Sequence, residues 1–377
     1  MTKENQKKTT KVCHMTSAHN RYDVRIFEKE CKSLANNGYD VTLIVNDCYN
    51  DEIIDNVKII STKYKYKNRA ERILNAQKFI IKKAISVNAD IYHFHDPELL
   101  PVGNKLKRIG KKVIFDSHED VPEQIKDKQW LPILLRNIIS ELYRIYEKHS
   151  VKRYDSIISV TPHIVERFKK INLNSIMITN YPIVSKIVEK KENALNTICF
   201  AGGISEQWTH DKIIKAIENI DEIEYLLAGN GTDEYIKFLK SLPGWNKVNY
   251  VGKIPHADVK DLYSKAVAGM ALNYSIQAKG EGTLGNTKIF EYMEAGLPII
   301  CTDYKLWQEI IDEYECGICV NPNNVKDIER AILFIIDNKD KAGEMGINGQ
   351  QAIINEYNWE TQKKTLIKCY NYLSQNI

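Results

Sequence analysis

A chain of 377 residues is more than twice the length of a typical domain, so two domains around separate hydrophobic cores are expected. Its 43% apolar, 27% charged and 9% aromatic composition excludes a largely disordered, collagenous or disulfide-stapled polymer. The formal net charge of +4 divides unequally: residues 1–190 hold 34 Lys and Arg against 23 Asp and Glu, a net +11, while residues 191–377 hold 19 against 26, a net −7.

Taken in chain order, short β-branched runs alternate with longer amphipathic segments, the rhythm of βαβ units. The opening MTKENQKKTTK lacks the apolar segment of a secretory signal, and no later stretch approaches the ~18 apolar residues of a membrane span, so a cytoplasmic location is expected. Strands are predicted at Val12–Thr16, Val41–Val45, Val57–Ser61, Ile91–His95, Lys112–Asp116, Ser156–Val160 and Ser175–Thr179, with helices at Val24–Asn36, Ala70–Ser86, Pro132–Lys152 and Pro162–Lys170. The charged stretch 184–196 (VSKIVEKKENALN) reads as a linker. Beyond it the rhythm restarts, with strands at Thr197–Ala201, Ile223–Leu227, Lys247–Val251, Ala268–Leu272, Pro298–Cys301 and Gly317–Val320. This gives a first domain over 1–183, a second over 197–357, and a last helix within 358–377 that can cross back to the first domain. Nearly continuous apolar strands joined by crossover helices imply an α/β chain with two Rossmann-like, doubly wound parallel sheets facing a cleft.

The eight cysteines lie mostly inside apolar runs and read as reduced core thiols. Cys316-Gly-Ile-Cys319 has C-x-x-C spacing but no second pair, so no zinc or redox role is assigned to it. The basic run from Lys63 to Lys83 contains one acid, Glu71, and is either a solvated helix face or a surface for anionic lipid headgroups. No recognition-helix, finger or RNP-like pattern accompanies the charge, so nucleic acid is not an expected partner.

In open parallel sheets ligands bind beyond the carboxyl ends of strands, so chemistry is sought there. The richest stretch is Gly282-Thr-Leu-Gly-Asn-Thr-Lys288-Ile-Phe-Glu291-Tyr-Met-Glu-Ala-Gly296-Leu-Pro298, a Gly-containing loop entering a helix that carries Lys288 and Glu291 in its first turns. A helix start suits a phosphate, Lys288 supplies a cation, and Glu291 can accept two hydrogen bonds from a vicinal diol such as ribose. Phosphate plus ribose means nucleotide. Spacing alone equally allows two ordinary exposed helix residues after a long loop.

The run Glu291-Tyr-Met-Glu-Ala-Gly-Leu-Pro-Ile-Ile resembles the second half of the signature of family-4 glycosyltransferases of the GT-B fold. Arg25-Ile-Phe-Glu-Lys-Glu-Cys, Tyr92-His-Phe-His-Asp-Pro-Glu, Val113-Ile-Phe-Asp-Ser-His118-Glu-Asp, Leu227-Ala-Gly-Asn-Gly and Tyr357-Asn-Trp-Glu add to the likeness along nearly the whole chain. The resemblance implies retaining transfer of a sugar from a nucleotide-sugar, most often a UDP-sugar, held by the second domain, to a glycan or lipid-linked glycan acceptor held by the first. Carried over residue by residue, Glu291 looks like the carboxylate that clasps the donor ribose, and His118 resembles the histidine beside the transferred sugar. Gly202 and Gly203 resemble the turn under the donor diphosphate, and Gly252, Lys253 and Ile254 the backbone that meets the base.

The chain departs from the family pattern at three places. Thr283 stands where a first glutamate is usual, Gly203 where an arginine is usual, and Trp208 where a lysine is usual. Some other group must then neutralise the departing diphosphate. The expectation is Lys288 together with loop N–H groups of Gly285, Asn286 and Thr287, aided by Lys253 or Lys279, with Glu281 as a sugar-hydroxyl ligand or mere loop decoration. No Asp-x-Asp occurs, so no metal and no cofactor are expected at the donor site. His19, Arg21, His95 and Asp96, which follow the first-domain strands, are the acceptor-side candidates. The apolar start of the segment Leu131–Arg153 is read either as buried between domains or as dipping into a membrane surface, the latter making the protein peripheral at an anionic membrane. Two other functions stay open: a sugar-nucleotide epimerase of the same fold, and a catalytically silent partner subunit.

Overall fold

The computed structural model describes residues 9–126, 128, 132–184, 196–274 and 280–376. The chain divides into two units, one running to Asn180 and resumed from Trp359, the other spanning Tyr181–Asn358.

In the first unit, β1 (Lys11–Met15), β2 (Asp40–Val45), β3 (Glu52–Ile54), β4 (Val57–Ser61), β5 (Ile91–Phe94), β6 (Lys112–Ser117), β7 (Ser156–Ser159) and β8 (Ser175–Met177) form one sheet of order β3-β4-β2-β1-β5-β6-β7-β8. All pairs are parallel except β3 with β4. The missing strand in the sequence reading is β3. It is three residues long, and its hairpin turns on Asp55 and Asn56, both with positive φ (50° and 62°), a conformation asparagine and aspartate tolerate.

The central strands are buried on both faces, which their unbroken apolar runs require. One face packs under α2 (Arg69–Val87), α3 (Leu100–Arg108) and α5 (Ile133–Val151), around Phe94, Phe115 and Phe168. The other packs under a π-helical run, Val24–Cys31, that continues as α1 (Lys32–Asn36), and under the last helix, Trp359–Ser374. Trp359 Nε1 donates to Ser33 Oγ at 2.9 Å, and Tyr370 is fully buried against the sheet. The first unit ends three residues before the sequence boundary at 183. The Tyr181 ring already packs on Phe290 (4.7 Å) and Tyr357 (5.2 Å) of the second unit's core. Residues 185–195 of the predicted linker lie outside the described residues.

In the second unit, β9 (Asn196–Ala201), β10 (Ile223–Ala228), β11 (Val248–Gly252), β12 (Ala268–Ala271), β13 (Ile299–Thr302) and β14 (Gly317–Val320) are all parallel, in the order β11-β10-β9-β12-β13-β14. This is the doubly wound dinucleotide-fold order, with its switch point between β9 and β12. Cys316 and Cys319 do not pair. The Cys319 thiol instead faces Cys301 across β13 and β14 at 3.6 Å, and all eight cysteines are free.

On α5, Ile133, Leu134, Ile138, Leu142 and Ile145 are each more than half exposed. No helix among the described residues is long and apolar enough to cross a membrane.

Candidate functional site

A cavity of about 410 Å³ opens beyond the carboxyl ends of β9 and β10. Its floor is Ala201 and Gly202 after β9, and Ala228 and Gly229 after β10. Lys253, Ile254, Lys288 and Glu291 stand around it, with Gly203 at one side. The floor needs its glycines. A Cβ on Gly229 (φ +140°) would sit 1.7 Å from the Gly202 carbonyl oxygen, and one on Gly202 would come within 3.1 Å of Lys288 Cε and the Phe200 ring. A close backbone turn with no side chain is the kind of surface a diphosphate can approach. A Cβ on Gly203 would meet nothing within 4 Å, so the position that lacks the usual arginine is open space. The other expected cation, absent because Trp208 stands there, is replaced by an indole packed 5.0 Å from the Phe200 ring.

Glu291 lies on α10 (Lys288–Glu294) and is the best-partnered group of the cavity. Its Oε1 accepts from Thr287 Oγ1 at 2.6 Å. Its Oε2 accepts from Lys288 Nζ at 2.7 Å and from Tyr263 Oη at 2.8 Å. Burial alone would raise this carboxyl; the Lys288 ammonium and the two hydroxyls outweigh it and hold Glu291 below the usual carboxylate range. Glu291 is therefore charged and held from three sides. Tyr263, on α9 (Val259–Ser264), was missed by sequence reasoning because it lies 28 residues away with no motif to connect them.

Two expectations change here. Lys288 does not stand free beside the floor; its ammonium is paired with Glu291. Of the three expected loop amides, Gly285 N–H is committed, donating to Thr283 Oγ1 (3.0 Å), and the next amide along the loop, Lys288 N–H, donates to Asn286 Oδ1 (3.1 Å). Residues 281–287 act as a scaffold: the Glu281 carbonyl accepts from Leu306 N–H at 3.0 Å, and the Thr283 carbonyl accepts from Trp307 Nε1 at 2.9 Å. Gly252 acts through its carbonyl, which accepts from Gly229 N–H at 2.7 Å and fixes the floor. Lys279 lies outside the described residues.

The first-unit candidates, His118 and the four acceptor-side residues, separate into exposed and internal groups. His118, just after β6, places Nε2 3.1 Å from Asp116 Oδ2 and remains part-exposed. His19 lies beside it, ring centroids 5.4 Å apart, with Nδ1 3.1 Å from Asp23 Oδ2. Burial would lower His19, but Asp23 and Asp96 outweigh it and raise its pKa. Burial would likewise raise Asp116, yet Arg25 and His118 hold it well below the carboxylate range. The remaining three are corrected by the structure. Arg21 is buried and spends its guanidinium on Asp47, Glu52 and the Asn50 carbonyl, fastening loops. Asp96 is buried and accepts from Thr16 Oγ1 (2.7 Å) and Ser17 N–H (2.6 Å). His95 is fully buried and faces His14, Glu30 and Asp116, a group with metal-ligand chemistry that the sequence reading did not foresee.

The family models agree with this division of the chain. Residues 25–179 match "Glycosyltransferase Family 4" and residues 184–352 match "Glycosyl transferases group 1". An uncharacterized glycosyltransferase of Methanocaldococcus jannaschii, MJ1178, is 25% identical over 290 residues, covering 71% of this chain and 79% of the relative. Sucrose-phosphate synthase from Thermosynechococcus elongatus superposes with a TM-score of 0.78 at 15% identity, covering 98% of this chain and all of that one. Anabaena HepE, solved in complex with UDP and glucose, gives a TM-score of 0.71 at 11% identity over 96% of this chain and all of its own. Two parallel-sheet Rossmann-like units with these structural neighbours define a GT-B fold. The chain belongs to the family-4-type glycosyltransferases.

Proposed function

We propose that the protein is a retaining, metal-independent hexosyltransferase that takes a sugar from a nucleotide-sugar, UDP-linked in the first instance, and passes it to a glycan or lipid-linked glycan in polysaccharide assembly. The observation that carries this reading is the bare Gly202 floor beside the ionised Glu291 and its Lys288 partner. Donor binding exchanges partners: Lys288 leaves Glu291 Oε2 for the diphosphate, and the freed lone pair accepts a ribose hydroxyl. The ammonium then meets the negative charge that develops on the departing diphosphate, the term that dominates such a transition state. With no carboxylate nucleophile assigned, the leaving phosphate oxygen takes the acceptor's proton on the same face of the sugar. His118, oriented by Asp116, is the group assigned to the transferred sugar, and His19 is assigned to the acceptor.

The base is tested by thermal shift with UDP-, GDP- and ADP-sugars, because a ligand specific to the native state raises Tm by mass action. A rise confined to the UDP series is expected, and no rise with any of them contradicts the reading. Trp208 and Gly203, which remove both usual cations, favour one alternative, a silent partner subunit. That alternative predicts no glycosyl transfer even where a donor binds.

The net +11 of residues 1–190 and the exposed apolar face of α5 support an anionic membrane surface as the place where a lipid-linked acceptor is met. Flotation with anionic vesicles is expected to carry the protein at low salt and to release it at high salt. Equal recovery with neutral vesicles contradicts this part of the reading.

A further inference from the structure

Four side chains of the first unit, none of which the proposed reaction uses, converge inside the fold. His14 lies on β1 and His93 on β5, opposite one another in register, with His95 two residues further along the same sheet face. The π-helical run places Glu30 over them. All four are fully buried. Glu30 Oε2 stands 3.8 Å from His14 Nδ1, from His93 Nδ1 and from His95 Nε2, and His14 Nδ1 is 3.1 Å from His95 Nε2. At 3.8 Å these are not hydrogen bonds. Neither oxygen of Glu30 accepts one, although Arg25 Nε lies 3.2 Å from Oε1. Among the described residues the one side-chain hydrogen-bond partner of this wholly buried carboxyl is Asp116, so none of the three imidazole nitrogens satisfies it, and a proton shared with one of them would leave the other two unmet.

We propose that His14 Nδ1, His93 Nδ1, His95 Nε2 and Glu30 Oε2 bind a divalent transition-metal ion, zinc by ligand type. Ligands at 2.0–2.1 Å in a tetrahedron stand about 3.3–3.4 Å from one another; the three Glu30 separations and the His14–His95 separation lie within about half an ångström of that, and all four ligand atoms lie within 4.8 Å of one another. The outer partners suit it. Asp116 Oδ2 lies 3.3 Å from His95 Nδ1, the carboxylate–histidine arrangement that turns the other ring nitrogen toward a metal. The Tyr370 hydroxyl lies 3.0 Å from His14 Nε2 and 2.9 Å from His93 Nδ1. The ion takes the lone pair of His93 Nδ1 in place of this hydroxyl, which then accepts from His14 Nε2–H alone and so keeps His14 Nδ1 available. Four protein ligands leave no open position, so the ion is a staple of the fold and takes no part in the transfer. It ties β1, β5 and the π-helical run to one another and, through Tyr370, to the last helix.

The test uses the full, tag-free chain. Metal analysis of the purified protein, and titration of the chelator-treated protein with Zn²⁺ or Co²⁺, are expected to give one equivalent, a Tm higher by several degrees, and the intense visible absorption of four-coordinate cobalt. Glu30→Gln is expected to weaken cobalt binding at least about tenfold, and His149→Gln, outside the cluster, to leave it unchanged. Less than a tenth of an equivalent bound, a cobalt spectrum like that of the aqueous ion, or undiminished binding by Glu30→Gln overturns the proposal. If Glu30→Gln does not fold, the wild-type cobalt titration decides alone.

Discussion

Glu291→Gln is expected to raise the donor KM roughly ten- to a hundredfold while leaving the fold intact. Hydrogen bonds to a charged partner contribute about 1.5–3 kcal/mol, and the amide keeps the shape of the side chain but loses its charge. Glu291→Ala should do more damage, because it also strands the Lys288 ammonium and the Tyr263 hydroxyl, at about 1–3 kcal/mol of stability for each group left unpaired in the interior. The carboxylate also has a pH signature. Its folded pKa lies below the unfolded value of 4.5, so the stability it contributes is fully present above that pH and fades as pH falls through the folded value. The stability difference between wild type and Glu291→Gln should therefore be constant from neutral pH down to about pH 5 and shrink below about pH 4. Initial-rate kinetics and denaturation series across pH check both points, and an unchanged donor KM in Glu291→Gln would remove the ribose clasp.

Lys288→Ala is expected to lower kcat by about 10²–10³, the size of effect seen when one charge-stabilising donor is removed from a transition state. The donor KM should change less, because the ammonium gains most as negative charge develops on the leaving diphosphate. Lys288→Arg should rescue only part of the loss, since a planar fork cannot occupy the narrow space over Gly202 as a compact ammonium does. Turnover close to wild type in Lys288→Ala would exclude the role and shift weight to the silent-subunit reading.

The strands of both sheets were legible because buried parallel strands are written as unbroken apolar runs, and β3 was not, since three half-exposed residues leave no pattern. The cavity was legible as far as motif and sheet topology reach: Gly202, Gly203, Lys253, Ile254, Lys288 and Glu291 all line it. Its internal chemistry was not. Lys288 and Glu291 lie three positions apart, which puts them on one face, but that spacing could not say that the ammonium would spend itself on the carboxylate, nor that Tyr263 would join from another helix. On the first unit, polar residues after β1 and β5 were assigned to a ligand because loops after strands usually carry one. Arg21, His95 and Asp96 instead turn inward, where Asp47, Asp116 and Thr16 meet them across neighbouring strands and loops. The histidine cluster had one signal, the His93-Phe-His95 alternation that puts two imidazoles on one sheet face. Its remaining members, His14 and Glu30, became neighbours only once β1 was paired with β5 and the π-helical run laid across them.

The partner exchange at Glu291 is settled most directly by the structure of the protein with UDP bound. The diphosphate should rest on the Gly202–Gly203 turn with Lys288 Nζ within about 3 Å of a phosphate oxygen, and a ribose hydroxyl should occupy its former place on Glu291 Oε2. A nucleotide bound away from that turn, or Lys288 still joined to Glu291 with the diphosphate in place, would contradict it.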